Sequence, residues 1–157
     1  MKQRGSPCSS TTRGVCVQQV QSSNPVGVIT RVGGTLLSYC SATGKALLAY
    51  QDDEVIERIA SRLERFTTHT VGSAGELHAE LDLIRRNGFA VNRGEWRENV
   101  RGVGAPVWNG DGKVIAAIGI SGPGSRLPVK KLKQLGVVVR EAGLRLSREL
   151  GHVRAGG

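Results

Sequence analysis

VRGVGAPVWNGDGKVIAAIGISG, residues 100–122, decides the fold. Two apolar runs flank NGDG, a four-residue stretch of turn formers, and that order is the signature of an antiparallel hairpin. VRGVGAPVW reads as one strand. KVIAAIGISG reads as another, apolar on both faces and therefore expected at the centre of its sheet. Just upstream, FAVN (residues 89–92) is a short strand, and the polar stretch RGEWRENV (residues 93–100) links it to the hairpin. An antiparallel sheet is the expected frame.

Helical patterns lie on both sides of this frame. Upstream, residues 53–66 (DEVIERIASRLERF) place Val55, Ile56, Ile59, Ala60, Leu63 and Phe66 on one helical stripe after a capping Asp52 or Asp53. Ser73 and Glu76 have the spacing of a capping box, with Leu77, Leu81 and Ile84 on one face and Asn87-Gly88 at the end. Downstream, Pro128 suits the first turn of a long helix reaching Leu150. Its expected buried stripe is Val129, Leu132, Leu135, Val139, Ala142, Leu146 and Leu150. Farther upstream, GVCVQQVQ and VGVITRVGG, joined by the turn SSNP, read as a hairpin. TLLSYCSATG follows as a loop and residues 45–50 as a short helix. The fold class is α+β, an antiparallel sheet with helices packed against it.

The 157 residues suit one domain with a sizeable core. Residues 1–14 form a polar Ser/Thr-rich lead-in expected to be disordered, residues 15–151 the domain, and residues 152–157 a tail. There are 22 Lys and Arg against 13 Asp and Glu, a net charge of +9 that invites an acidic partner. The basic residues are scattered, however, and no helix interleaves them with base-stacking aromatics, so a solvated basic surface is the simpler reading. The cysteines, Cys8, Cys16 and Cys40, are odd in number and unpaired in spacing, as for free thiols in a reducing compartment. No apolar run approaches a membrane span and no signal-peptide core opens the chain, so a cytoplasmic location is expected.

Strong catalytic signals are missing. Gly44-Lys45 superficially resembles a phosphate loop, but Tyr39 stands where the loop's first Gly belongs and Ala46 where its Ser or Thr belongs. The glycines of IGISGPG lack the dinucleotide-binding order. His69, His78 and His152 have no Cys or carboxylate at metal spacing, so neither a metal nor a cofactor is expected. Cys40, just before a helix start, is the one candidate nucleophile, weighed against an inert packed thiol. Trp96 reads equally as a packing residue and as a lid. What remains is a set of small polar groups on loops and strand ends, Ser41, Thr43, Asn92 and Ser121, suited to hold a small polar molecule without reacting with it.

Several segments together resemble the effector-binding domain of IclR-type transcriptional regulators. They are CSATGKALLAY, ELDLIRRNGFAVNRGEW, VRGVGAPVWNGDGKVIAAIGISGP and the closing helix with LSREL, and VCVQQVQSSNPVGVITRVGG resembles the hairpin before them. The resemblance runs in order from about residue 15 to 150. It implies a GAF-like curved antiparallel sheet with helices on one side and a pocket on the other. It also implies a homodimer or tetramer that senses a small organic acid and controls transcription through a helix-turn-helix domain, without enzymatic activity. That DNA-binding domain is absent from these residues, as are the sensor's first helix and strand. Operator DNA is therefore expected as a partner only through a domain outside this chain.

The resemblance assigns effector contacts position by position. The backbone amides of Ala42, Thr43 and Gly44 face the acid, and Leu36 forms an apolar wall. Asn92 stands where an acidic residue is common, Gly102 where Cys or another small residue is, and Gly119 and Ser121 complete the set. The missing side chains at 102 and 119 are expected to enlarge the pocket toward a bulkier acid, an aromatic carboxylate included. Lys45 is expected to add positive potential without touching the ligand. The alternatives are a GAF-like enzyme using Cys40 and an oligomerisation module without a ligand.

Overall fold

A three-stranded antiparallel sheet carries the fold, with helices on both of its faces. The computed structural model describes residues 13–15, 18 and 35–153. In chain order the elements are β1 (Arg13–Val15), β2 (Thr35–Leu37), α1 (Ala42–Leu48), α2 (Asp53–Ala60), α3 (Ala74–Asn87), β3 (Ala90–Arg93), β4 (Val100–Trp108), β5 (Val114–Pro123) and α4 (Val129–Glu149). Sheet order is β3-β4-β5, and β1 pairs with β2 in a separate antiparallel ladder.

The hairpin reading of residues 100–122 holds. Among the described residues β4 is the middle strand of its sheet, and β5 pairs with β4. The strand at residues 35–37 corrects the expected loop there, and β1 begins two residues before the expected domain boundary. The expected partner strand at 26–34, the SSNP turn, Cys8 and Cys16 lie outside the described residues.

Alternation on the strands sorts the core into two layers. Phe89, Val91, Val103 and Ala105 point to one face and pack with Leu132 and Val139 of α4. Ala90 points to the other, where it joins Ala46, Leu48, Ile56, Leu77, Leu81 and Ile84 of α1, α2 and α3. The face expected to hold only a pocket therefore also carries α1.

Two helices depart from their sequence patterns for identifiable reasons. α2 stops at Ala60, six residues before Phe66, which is exposed. Side chains capture the backbone there instead of a helical ladder: Tyr39 Oη accepts from Glu64 N (3.0 Å), and Thr70 Oγ1 accepts from Phe66 N (3.1 Å) and Thr67 N (2.9 Å). On α4 the buried ridge is Leu132, Gly136, Val139, Gly143 and Ser147. Val129, Ala142, Leu146 and Leu150 of the expected stripe are exposed, and Leu135 is half-buried. Glycines set this phase, because a Cβ at 143 would stand 2.9 Å from the Pro106 carbonyl and one at 136 would press into the Phe89 ring. α4 lies too close to the sheet for larger residues. α3 follows its pattern: Glu76 N donates to Ser73 Oγ (3.2 Å), and Gly88 ends the helix at φ 75°.

Candidate functional site

α1 begins at Ala42, three residues before the helix expected at 45–50, so the end of the expected loop is its first turn. Ser41 is the N-cap, and its Oγ accepts from Gly44 N at 3.1 Å. That bond occupies the Gly44 amide, which is thereby withdrawn from the amides expected to meet an acid. The first turn of α1 lies directly on β4, since a Cβ at Gly104 would stand 2.7 Å from both Ala42 C and Thr43 N. Only glycine lets the two backbones approach this closely.

Sheet register gathers the remaining expected residues. Asn92 pairs with Gly102, and Gly102 with Ser121, so the three form one row across β3, β4 and β5. Ala90, Gly104 and Gly119 form the next row on the same face. The methyl of Thr43 lies over this second row, 2.7 Å from where a Gly119 Cβ would stand. Thr43, Gly119, Gly102, Ser121 and Asn92 thus belong to one face of the sheet, beside the start of α1. Gly119 and Ser121 are exposed, Thr43 is half-buried, and Asn92 is buried. Leu36 lies in β2 opposite Gly14, in the other ladder.

The glycines do not enlarge this face. A side chain at 102 would meet the Ile120 carbonyl at 2.6 Å, and one at 119 the Val103 carbonyl at 2.6 Å. Close approach of backbones and of Thr43 accounts for both positions, which removes the argument for a bulky acid. Two shallow clefts, of about 480 and 500 Å³, lie away from the rows, one beside Tyr50 and Trp108 and the other beside Arg101.

The largest departure from sequence reasoning is Lys45. It is fully buried, and its ammonium donates to Glu80 Oε1 (2.8 Å), Glu95 Oε1 (2.7 Å) and the Val91 carbonyl (2.6 Å). It ties α1 to α3, β3 and the loop after β3, and does not face a ligand at the helix start. Glu95 is also buried, and its second oxygen, Oε2, has no partner. Burial pushes the Glu95 carboxyl above its ordinary range, although the Lys45 charge pulls it back. Asn92 Oδ1 accepts from the amides of Gly94 (3.0 Å) and Glu95 (2.9 Å), which fixes this loop from the row itself. With Oδ1 occupied, the Nδ2 donor is the end of Asn92 left for an acceptor.

The other candidates take ordinary structural places. Cys40 is buried, and desolvation, reinforced by the Glu95 charge, pushes its thiol up to about 12, the opposite of an activated nucleophile. His78 pairs with Glu57 at 2.6 Å, and His152 stacks on Trp108 at 5.7 Å. Trp96 is exposed, with the Arg97 guanidinium 4.5 Å from its ring centre. No helix among the described residues is long and apolar enough to cross a membrane.

With this geometry in place, comparison with known proteins is specific. The model of the family described as bacterial transcriptional regulator IclR C-terminal matches residues 9–148. The HTH-type transcriptional regulator KdgR of Dickeya chrysanthemi is 31% identical over 140 residues, which are 88% of this chain and 46% of KdgR. The HTH-type transcriptional repressor AllR of Klebsiella pneumoniae is 32% identical over 87% of this chain and 51% of its own length. Among solved structures, the repressor BlcR of Agobacterium tumefaciens superposes with a TM-score of 0.83 at 28% identity, over 92% of this chain and 58% of that one. The chain spans about half the length of the curated relatives it matches.

Proposed function

This chain belongs to the IclR C-terminal family of bacterial transcriptional regulators, and from that premise we propose that it is a cytoplasmic ligand-sensing domain for a small organic acid. The acid's carboxylate meets the free amides of Ala42 and Thr43 at the start of α1. Asn92 Nδ2 and the Ser121 hydroxyl bind its far end, Gly102 and Gly119 form the floor, and Leu36 is an apolar wall. The observation that carries this reading is the register that sets Asn92, Gly102 and Ser121 in one row beside the helix start. A compact acid fits better than an aromatic one, since the glycine positions hold no spare volume.

Control of DNA belongs, on this reading, to a complete regulator of the kind the relatives' names describe, acting as a homodimer or tetramer. The relatives are transcriptional regulators, and the inert Cys40 gives no support to an enzyme.

Calorimetry with a panel of small and aromatic carboxylates tests the site. Ser121→Ala should weaken the best acid by about one hydrogen bond, roughly 1 kcal/mol. Thr43→Trp should abolish its binding while circular dichroism stays native. Unchanged affinity in both variants would place the pocket elsewhere.

A further inference from the structure

We propose that the cleft between Tyr50 and Trp108 is a second binding site, which takes a small aromatic carboxylate at the end of α1 away from the candidate effector row. The inference stands independently of that row. Ala42 and Thr43 open α1, whereas Tyr50 lies just past its C-cap, Ala49.

The cleft holds about 480 Å³, within the usual range for a small-molecule pocket. Four parts of the fold meet around it. Tyr50 and Asp52 come from the turn between α1 and α2, Arg85 from α3, Trp108 from the end of β4, and Lys113 from the turn before β5. An occupant here touches the helical layer and the β4–β5 hairpin at once.

The aromatic part is fixed before any ligand arrives. Trp108 N donates to Ser147 Oγ at 2.9 Å. The Tyr50 ring stands edge-on to the indole at 4.7 Å, and His152 stacks on it at 5.7 Å. The indole is half-buried, and the part of it that lines the cleft suits a flat apolar ring.

The polar groups select an acid. Arg85 Nε donates to the Ala49 carbonyl (2.6 Å) and Nη1 to Asp82 Oδ1 (2.7 Å), which orients the guanidinium and leaves Nη2 uncommitted. The first of these bonds also covers a carbonyl at the end of α1, where the helix dipole disfavours an anion. The Tyr50 hydroxyl and the Lys113 ammonium have no hydrogen-bond or ion-pair partner among the described residues. Burial pushes the Tyr50 phenol up, and the nearby Arg85 charge opposes that rise. Two cations and a hydroxyl donor thus line the cleft against one carboxylate, Asp52. That balance repels an organic cation, which an aromatic pair would otherwise attract, and admits an anion. An aliphatic acid leaves the indole uncovered, and a neutral aromatic leaves the cations unmet. A carboxylate on an aromatic ring satisfies both halves.

Benzoate titrated into the full chain carrying Trp96→Phe, with Trp108 fluorescence as the reading, tests this. A saturable change with a dissociation constant of about 1 mM or below is expected. Acetate and benzyl alcohol should bind at least about tenfold more weakly. Lys113→Gln, at an exposed turn position, and Tyr50→Phe should each weaken benzoate about three- to tenfold while circular dichroism stays native. Ser121→Ala, in the effector row, should leave benzoate binding unchanged. No saturation up to about 20 mM benzoate, or acetate or benzyl alcohol binding as well as benzoate, overturns the proposal. So does a signal that ignores Lys113→Gln and Tyr50→Phe, or one that weakens with Ser121→Ala.

Discussion

Replacing Lys45 by methionine keeps the length of the side chain and removes its charge. In the folded protein this strands Glu95, whose Oε1 loses its 2.7 Å partner and whose Oε2 has none to begin with. Glu80 is partly exposed and can turn to water. The cost falls on Glu95, and breaking a buried pair from one side costs about 3–5 kcal/mol. That is a large share of the roughly 5–15 kcal/mol by which a domain is stable. Lys45→Met/Glu95→Gln removes both charges, and should cost at least about 1 kcal/mol less than the sum of the two single variants. The pH dependence has a definite sign. The folded Glu95 carboxyl lies above its ordinary value of 4.5, so its contribution is fully present below that value and is lost as pH rises through the folded one. Without Lys45 the folded value rises further, so Lys45→Met should lose more stability than the parent between mildly acidic and neutral pH. Urea unfolding followed by circular dichroism measures all three variants. A Lys45→Met cost below about 1 kcal/mol, or costs that simply add in the double variant, would show that the cluster is solvated and the reasoning wrong.

Two further outcomes follow from the packing and from the thiol. Gly136→Val should destabilise the domain by about 1–3 kcal/mol in urea unfolding, because its side chain must displace the buried Phe89 ring, whereas exposed Ala142→Val should be nearly neutral. In a Cys8→Ser/Cys16→Ser background, Cys40 should react with a thiol reagent at neutral pH far more slowly than a free thiol until denaturant is added, and rapid labelling of the native protein would reopen the enzyme reading.

The β4–β5 hairpin and the two ends of α3 were legible because their signals are local. NGDG between two apolar runs, Ser73 three residues before Glu76, and Gly88 after Asn87 each act within a few residues of themselves. The failures are the non-local features. Hydrophobic spacing misphased α4 because the tightest contacts fall on Gly136 and Gly143, and glycine leaves no mark in an apolar pattern. Lys45 was expected only to add positive potential beside the helix start, and nothing local marks a lysine for full burial, which is rare unless the charge is paired. Its partners Glu80 and Glu95 are 35 and 50 residues away and mean nothing until the chain folds. The candidate site was named through family resemblance, and no periodicity could have shown that Asn92, Gly102 and Ser121 share a row. The available signal for Gly104 was the density of glycine in VRGVGAPV, where two strands and a helix start must come close together.

These non-local features also determine which site residues can serve as clean probes. α1 is seven residues long, too short to be stable on its own. Its first turn is seated by Gly104 and its second is tied through Lys45 to Glu95. Glu95 is in turn held by Asn92, whose oxygen takes the Gly94 and Glu95 amides. Asn92 therefore stands both in the candidate effector row and at the base of the cluster that positions α1. Asn92→Ala should lower stability and ligand affinity together, since it frees two buried amides as well as removing a donor. Ser121 is exposed and carries no such duty. Its alanine variant should separate the two effects, leaving the urea midpoint in place while the acid binds more weakly. An Asn92→Ala protein with unchanged stability would break this chain of contacts at its first link.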